Sequence, residues 1–351
     1  MKFSLCLNLL KLISKIMYNS KITGLGYYVP ENVVTNDDLA KFMDTNDEWI
    51  QERTGIKERR WIEEGSEDTS AVMGAKASRI AIERSGLKNE DIDFIVFATL
   101  SPDYYFPGCG VQIQEMLGLR TVGALDVRNQ CSGFIYAMSV ADQFIKTGMY
   151  KNILVVGSEF HSGGLDKSTR GRGVSVIFGD GAGAAVLSRT EDNTKGILSS
   201  HLFSEGKHAE ELTVLAPSIR HWVPEIIAAN DENDESYYPY MNGTFVFKHA
   251  VVRFSEAIMA GLEANNLQVS DINMLIPHQA NLRISQFIQR KFKLEDDQVY
   301  NNIMKYGNTT AASVIIALTE AWEKGKIKDN DLVVLAAFGS GFTWGSVIIR
   351  W

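Results

Sequence analysis

The sequence of 351 residues has little cysteine and little histidine, which argues against a disulfide-bonded protein and against a metal site. The three cysteines, Cys6, Cys109 and Cys131, form no C-x-x-C pair. A disulfide framework is therefore not expected, and a reducing cytoplasmic compartment is predicted. The six histidines show no H-x-x-x-H spacing and no cluster with cysteine, so we expect no metal site.

Long apolar runs and an excess of basic residues are also lacking. After the first sixteen residues no stretch approaches the roughly 18 apolar residues that a membrane helix needs. The 35 basic residues are outnumbered by 43 acidic ones, which gives a net charge of −8. Nucleic-acid binding requires a concentrated basic face. We therefore expect neither a membrane nor a nucleic acid as partner.

Residues 1–16 resemble a signal peptide only superficially. Their apolar stretch at residues 3–10 is short, Lys11 and Lys15 interrupt it, and no small-residue cleavage site follows. We interpret residues 1–16 as a non-native or disordered extension from an upstream start, with Met17 as the working start.

Short apolar runs alternate with helical patterns, which indicates an α/β protein. Most runs are continuous rather than alternating, as expected for strands that are covered on both faces. Helical patterns lie between them, for example at residues 71–85 and 133–146. The predicted strands are residues 21–28, 94–100, 124–127, 153–157, 184–188, 274–277, 332–337 and 346–350.

An internal repeat refines this interpretation. Three pairs of segments match in the same order at offsets of 177 to 180 residues: 91–96 with 271–276, 146–151 with 323–328, and 152–156 with 331–335. Two similar layered halves are implied, which we place at residues 17–190 and 191–351. Such a duplication sets corresponding helix starts opposite each other, an arrangement that suits a shared active site.

Residues 205–243 break the repeat. They contain an acidic run at residues 231–235 beside Tyr237, Tyr238 and Tyr240. Two interpretations stay open, a solvated surface loop and a cover over a ligand tunnel.

Cys131 lies where a predicted strand ending at Val127 gives way to a helix that begins near Ser132. The positive end of a helix dipole stabilises a thiolate and lowers the pKa of a cysteine, so Cys131 is a candidate nucleophile. A buried structural cysteine explains this fragment equally well.

His278 and Asn308 are two further candidates. His278 follows Pro277 at the end of a predicted core strand, where it either points into a site or is a satisfied strand-end histidine. Asn308 precedes a helix and alone is most simply an N-cap. In the repeat, however, its position mirrors that of Cys131.

Two glycine-rich runs lead to different interpretations. Residues 179–183 have the glycine spacing of a dinucleotide-binding turn, but a predicted strand follows them instead of a helix, so we expect close packing there. Residues 338–342 lie between the last two strands and could present a backbone N–H to an oxyanion.

Taken together, these residues resemble the β-ketoacyl-[acyl-carrier-protein] synthase III family from about residue 21 to residue 351. The matching segments are residues 44–50 with 53–56, the segment around Cys131, and residues 177–184, 277–284, 306–309 and 341–345. The resemblance implies a thiolase-like fold of two duplicated halves with α-β-α-β-α layers. It also implies a homodimer.

The resemblance implies a Cys-His-Asn triad with Cys131 as nucleophile. His278 and Asn308 would stabilise the enolate that forms when a malonyl group loses carbon dioxide. The backbone N–H groups of Cys131 and Ser340 would hold the oxyanion. An asparagine at position 308 points to the initiating type of condensing enzyme.

Further residue roles follow from the same resemblance. Trp49 would stack on the coenzyme A adenine, Arg53 and Arg172 would meet its ribose or phosphates, and Asn281 would steady the site through water. Phe106 would reach across a twofold interface to line the partner's acyl pocket. The basic landing patch for an acidic carrier protein would consist of Lys248, Arg283, Arg290 and Lys291.

The implied reaction joins an acyl-coenzyme A primer to malonyl-[acyl-carrier-protein] in the initiation of fatty acid biosynthesis. It needs no cofactor, because the coenzyme A thioester and the phosphopantetheine arm are substrates. One alternative is a specialised homologue that condenses longer or unusual acyl groups for a secondary lipid or pigment. Others are acyl transfer without decarboxylation and an inactive partner subunit, against which the intact triad argues.

Overall fold

The computed structural model describes residues 18–218 and 234–351 of the chain. Its strands are β1 (Asn19–Tyr28), β2 (Val33–Thr35), β3 (Glu58–Arg60), β4 (Phe94–Ala98), β5 (Gly123–Val127), β6 (Asn152–Glu159), β7 (Gly181–Thr190), β8 (Gly196–Ser204), β9 (Leu212–Thr213), β10 (Tyr240–Met241), β11 (Met274–Pro277), β12 (Leu332–Gly339) and β13 (Thr343–Arg350). Its α-helices are α1 (Asn36–Leu39), α2 (Asp47–Thr54), α3 (Ser70–Ser85), α4 (Cys109–Met116), α5 (Gly133–Lys146), α6 (Arg172–Ser175), α7 (Gly243–Ala264), α8 (Leu282–Phe292), α9 (Ile303–Tyr306) and α10 (Ala312–Glu323).

Two main sheets share one topology. The first has the strand order β1-β7-β6-β4-β5, and the second has the order β8-β13-β12-β11. In both, the first three strands pair antiparallel and the next pairing is parallel. The outer strand β5 pairs parallel with β4, and a parallel bridge between Leu275 and Val299 takes the corresponding place in the second sheet. This equivalence accounts for the internal repeat.

The helices form three layers around the two sheets. Helices α5 and α10 lie between the sheets and bury the largest apolar cluster, which includes Phe134, Val155, Ile315 and Val333. Helices α3 and α4 cover the outer face of the first sheet, and α7 and α8 cover that of the second. The predicted α-β-α-β-α thiolase-like architecture is confirmed.

The predicted strands and helices are confirmed where continuous apolar runs marked them. All eight residues of β12, for example, are buried because helices pack on both faces of its sheet. Strand β8 was not predicted: Ser199, Ser200 and His201 interrupt its apolar residues, and its place at the sheet edge leaves these side chains partly exposed. The glycine run before β7 packs closely, since a Cβ on Gly183 would lie 2.4 Å from Ile315.

The predicted division into halves stays a prediction; the two main sheets draw their strands from residues 19–190 and 196–350. The predicted extension at residues 1–16 lies outside the described residues, as does Cys6. Cys109 and Cys131 are both free and buried. Within residues 18–218 and 234–351, no helix is both long and apolar enough to cross a bilayer.

Candidate active site

A cavity of about 590 Å³ runs from the protein surface to Cys131. Trp49, Arg53, His278, Asn281 and Asn308 contribute polar or aromatic groups to its wall. The apolar part of the wall includes Leu212, Met241, Val246, Phe247, Phe254 and Ile284. The structure therefore brings the three predicted triad residues and part of the predicted coenzyme A contacts to one cavity.

Cys131 lies in a short turn of 3-10 helix between β5 and α5. Gln130, which precedes it, has a φ of 43°, a left-handed conformation that turns the chain sharply toward the cavity. On the other side, Gly339 at the end of β12 presses against the nucleophile. A Cβ on Gly339 would lie 2.7 Å from the Cys131 Cβ, so only glycine fits there.

The Cys131 thiol is only 7% exposed, and this burial raises its pKa to about 12. The nearby Glu159 carboxylate raises the pKa of Cys131 as well, whereas hydrogen bonds from the Cys131 N–H, the Thr310 side chain and the Ser340 N–H lower it. The prediction that the helix start gives Cys131 a lowered pKa is wrong. Loss of water around a buried sulfur outweighs the donors that surround it.

The backbone N–H groups of Cys131 and Ser340 both lower the pKa of the Cys131 thiol, which indicates that they lie close to its sulfur. The loop that carries Ser340 is held in place, because the Ser340 hydroxyl donates to the Leu212 carbonyl and the Thr343 hydroxyl donates to the Ser340 carbonyl at 3.1 Å. Two fixed N–H donors beside a nucleophile are the geometry of an oxyanion hole. Their assignment as such stays a prediction.

His278 directly follows β11 and is 3% exposed. Its Nδ1 lies 2.6 Å from the Ser313 hydroxyl oxygen, which also accepts the Gln279 N–H at 3.2 Å. A buried hydroxyl that accepts one N–H is best satisfied by donating its own hydrogen to Nδ1. That arrangement places the imidazole hydrogen on Nε2, which has no partner among the described residues.

Asn308 does not cap a helix. Helix α10 begins after Ala311 without a side-chain cap, and the Asn308 Oδ1 instead accepts the Thr310 N–H at 2.8 Å. The Asn308 backbone is fixed by its N–H bond to the Ile177 carbonyl at 2.8 Å. Its Nδ2 donates to no group in the described part of the chain, so the amide hydrogens are free for a ligand in the cavity.

Three of the predicted coenzyme A contacts meet at the cavity mouth. Trp49 and Arg53 lie one turn apart on α2, and the Arg53 Cζ is 4.5 Å from the Trp49 ring centroid. The Arg172 Cζ lies 5.2 Å from the same centroid. Asn281 caps α8 through its Oδ1 and donates from Nδ2 to the Arg53 carbonyl at 2.9 Å, which ties the mouth to that helix.

The predicted carrier patch is exposed and divides into two parts. Lys248 and Arg283 border the cavity, while Arg290 and Lys291 lie on the last turn of α8, roughly 10 Å further along the helix. Phe106 is not brought to the cavity of its own chain, since its side chain is on the surface and 82% exposed.

The structure adds residues that the sequence did not single out. His161 and Glu159 come at the end of β6, and Thr310 and Ser313 lie at the start of α10. Their polar side chains directly after a buried strand were a signal by which His161 and Glu159 could have been found.

The segment 205–243 contributes Leu212 and Met241 to the cavity wall. This favours the interpretation of its described ends as a cover over a ligand tunnel; residues 219–233 lie outside the described residues.

Burial lowers the pKa of His278 to about 3, well below the ordinary 6.5, and this predicts a proton uptake on unfolding. The folded protein keeps the imidazole neutral, so its contribution to stability is present above pH 6.5 and is lost as the pH falls toward 3. At pH 5, His278→Gln should take up about one proton fewer than the wild type on unfolding in urea. Asn308→Ala, which removes a neighbouring buried group that does not titrate, should match the wild type. Equal uptake by His278→Gln and wild type, measured with a pH indicator, would contradict a neutral His278.

Known proteins resemble this chain in both sequence and fold. Residues 125–206 match the family model of 3-oxoacyl-[acyl-carrier-protein] synthase III, and residues 262–351 match the model of its C-terminal part. The chain is 45% identical over 331 residues to the β-ketoacyl-[acyl-carrier-protein] synthase III of Caldanaerobacter subterraneus, covering 94% of this chain and 97% of that one. It is 44% identical to the synthase III of Aliivibrio fischeri, covering 94% and 99%. The crystal structure of 3-oxoacyl-[acyl-carrier-protein] synthase III from Aquifex aeolicus superposes with a TM-score of 0.86 at 41% identity, covering 95% of this chain and all of that one. The chain therefore belongs to the β-ketoacyl-[acyl-carrier-protein] synthase III family.

Proposed function

We propose that this chain condenses an acyl-coenzyme A primer with malonyl-[acyl-carrier-protein] and so initiates fatty acid biosynthesis in the cytoplasm. The observation that carries the proposal is that Cys131, His278 and Asn308 line one cavity, with no partner for the His278 Nε2 among the described residues. No bound cofactor is needed, since both thioesters are substrates. The proposal also fits the family to which the chain belongs.

In the first half-reaction the Cys131 sulfur attacks the carbonyl carbon of the acyl thioester. The developing oxyanion would accept hydrogen bonds from the backbone N–H groups of Cys131 and Ser340, which lie beside the attacking sulfur. The bond to the coenzyme A sulfur breaks, and the proton that leaves Cys131 ends on the coenzyme A thiol. The product is an acyl thioester on Cys131.

Coenzyme A would enter along the cavity. Its adenine would stack on Trp49, and the two guanidinium groups of Arg53 and Arg172 next to that ring would meet its ribose or phosphates. The pantetheine arm would then follow the apolar wall down to the nucleophile. Asn281, at the N-terminus of α8, would contact the arm through water.

In the second half-reaction the malonyl thioester oxygen would accept hydrogen bonds from His278 Nε2–H and Asn308 Nδ2–H. The carbon–carbon bond to the carboxylate breaks, carbon dioxide leaves, and its electron pair forms an enolate that these two donors stabilise. The enolate carbon attacks the acyl carbon on Cys131. The Cys131 sulfur leaves, takes up a proton and releases a 3-oxoacyl thioester.

The two half-reactions should separate by mutation. Cys131→Ala should form no acyl-enzyme yet still release carbon dioxide slowly from malonyl-[acyl-carrier-protein]. Asn308→Asp keeps the oxygen that holds the Thr310 N–H but loses the amide donor, so it should still take up acyl groups while condensation falls by about 10²–10³. Intact-protein mass spectrometry and carbon dioxide release measure the two steps. Condensation by Asn308→Asp at the wild-type rate would refute the proposed role of Asn308.

We propose that the carrier protein docks on Lys248, Arg283, Arg290 and Lys291, which are exposed on α7 and α8. Arg290→Glu combined with Lys291→Glu should raise the KM for malonyl-[acyl-carrier-protein] by roughly tenfold at low salt, because exposed charges steer association. Acylation by acyl-coenzyme A should be unchanged, and added salt should shrink the difference.

The matched control is Lys326→Glu with Lys328→Glu, which changes the charge equally at the start of β12, the end of that strand opposite Gly339. Steady-state kinetics with both substrates tests the patch. A similar rise in KM for the control pair, or an equal loss of acylation, would contradict docking at α8.

We propose that two copies of the chain associate through the edge strand β5. Leu125 on this strand is 38% exposed, and Tyr104, Tyr105 and Phe106 beside it are exposed as well. The Asp126 carboxylate accepts the Cys109 and Gly110 N–H groups, so the aromatic loop lies next to the strand. Phe106 would then reach the partner's acyl pocket.

The dimer proposal is tested by sedimentation velocity at micromolar concentration. The wild type should sediment as a dimer, and Leu125→Glu combined with Phe106→Ser should sediment as a monomer because a charge would be buried in the apolar contact. Met149→Glu, at an exposed apolar residue elsewhere on the surface, should leave the dimer intact. A monomeric wild type would refute the proposal.

A further inference from the structure

Ser313 places a buried hydroxyl against the imidazole of His278. It is the second residue of α10 and is 2% exposed. Its Oγ lies 2.6 Å from the His278 Nδ1 and accepts the backbone N–H of Gln279 at 3.2 Å. Within residues 18–218 and 234–351, the His278 Nδ1 is the one acceptor that the structure gives to the Ser313 hydroxyl hydrogen. This contact therefore joins the start of α10 to the residue that follows β11.

Gln279 holds that hydroxyl in one orientation. It is 3% exposed, and all four hydrogen-bonding positions of its side-chain amide are taken. Its Oε1 accepts the N–H groups of Asn302 at 3.0 Å and Ile303 at 3.1 Å, and its Nε2 donates to the carbonyls of Pro277 at 2.7 Å and Tyr300 at 3.4 Å. A side chain anchored at four points fixes the backbone beside it, so the Gln279 N–H stays on the Ser313 oxygen.

His278 is held by its backbone on both sides of the ring. Its N–H donates to the Ala336 carbonyl at 2.8 Å, and its carbonyl accepts the Ala280 N–H at 2.9 Å. The ring belongs to the cavity wall, and its Nε2 is buried without a partner among the described residues. Because burial lowers the pKa of His278 to about 3, the ring is neutral at pH 7 and carries one hydrogen.

The two possible positions of that hydrogen differ in how they satisfy Ser313. With the hydrogen on Nε2, Nδ1 is an acceptor and the hydroxyl donates to it. With the hydrogen on Nδ1, the ring donates to the Ser313 oxygen, and the hydroxyl hydrogen is left without an acceptor in the described part of the chain. The cost of an unpaired buried donor favours the first arrangement by roughly 10- to 100-fold.

We propose that Ser313 is a positioning residue for His278: its hydroxyl, held by the Gln279 N–H, donates to Nδ1 and keeps the imidazole hydrogen on Nε2. The inference rests on the proposed function, in which the His278 Nε2–H stabilises the enolate of the malonyl thioester. A hydrogen on Nε2 makes that nitrogen a donor to the thioester oxygen, whereas a lone pair there would repel it. Ser313 itself is not part of the cavity wall among the described residues, so it acts through the imidazole.

NMR reads the position of the hydrogen directly. In protein with isotope-labelled histidine, two-bond proton–nitrogen correlations distinguish a ring nitrogen that carries hydrogen from one that does not. His278→Ala identifies the His278 signals among those of the six histidines. At pH 7 the wild type should show hydrogen on Nε2 and none on Nδ1. Ser313→Ala should show a mixture of the two tautomers, because neither ring nitrogen then has the hydroxyl as a partner.

The kinetics of the two half-reactions test the consequence. Ser313→Ala should lower kcat for carbon dioxide release from malonyl-[acyl-carrier-protein] by roughly 3- to 10-fold, with KM within about twofold, as expected for the loss of one hydrogen bond that orients a donor. Acylation of Cys131 by acyl-coenzyme A should change by less than about twofold, because that step uses the Cys131 sulfur and backbone N–H groups. Since Ser313 acts through the imidazole, Ser313→Ala should add no further loss to that of His278→Ala.

The matched control is Thr319→Val, which removes another buried hydroxyl from α10, the one that donates to the Ile315 carbonyl at 2.7 Å. It should leave the tautomer and both half-reactions unchanged. Should Ser313→Ala not fold, Ser313→Cys takes its place, because a thiol of similar shape is a weaker donor and should shift the tautomer in the same direction.

Three outcomes would overturn the inference: a wild-type His278 with its hydrogen on Nδ1, an unchanged tautomer in Ser313→Ala, or a loss in Ser313→Ala that adds to the loss in His278→Ala. The NMR measurement uses no substrate. A wild type that releases no carbon dioxide from malonyl-[acyl-carrier-protein] would therefore refute the proposed function, while the tautomer still reports on Ser313.

Discussion

The contact between Gly339 and Cys131 is the constraint on which the site depends. Gly339 ends β12 of the second sheet, whereas Cys131 lies in the short turn before α5, the helix between the sheets, and no Cβ fits between the two residues. The contact joins the end of β12 in the second sheet to the turn that follows β5 of the first sheet. The contact brings the Ser340 N–H of one half beside the Cys131 N–H of the other. Neither half alone would hold both donors on the sulfur.

This close packing has an electrostatic consequence. A buried sulfur loses its hydration, and its pKa rises to about 12 despite the donors around it. His278 and His161 are neutral for the same reason, since the pKa of each is lowered to about 3. The two imidazoles are therefore neutral at pH 7 and can serve as fixed hydrogen-bond donors. Such donors stabilise charge when it develops in the reaction and need no reorganisation at that moment.

Much of this architecture was predictable from the sequence. Strands that are covered on both faces appear in it as continuous apolar runs, and the internal repeat indicated two similar halves. Strand β8 escaped prediction because an edge strand carries polar residues within it. Cys131, His278 and Asn308 were identifiable from their places at strand and helix ends. The direction of the Cys131 pKa was not, since burial is a property of the assembled fold. His161 and Thr310 are 149 residues apart in the chain and meet only through the packing of β6 against α10.

The central claim is that Cys131 carries the acyl group. The most direct measurement is intact-protein mass spectrometry after exposure to a panel of acyl-coenzyme A donors, followed by peptide mapping of the modified protein. The account predicts one acyl group per chain, located on Cys131 and absent from Cys131→Ala. An acyl group on Cys109, or a protein that condenses without ever carrying an acyl group, would contradict it.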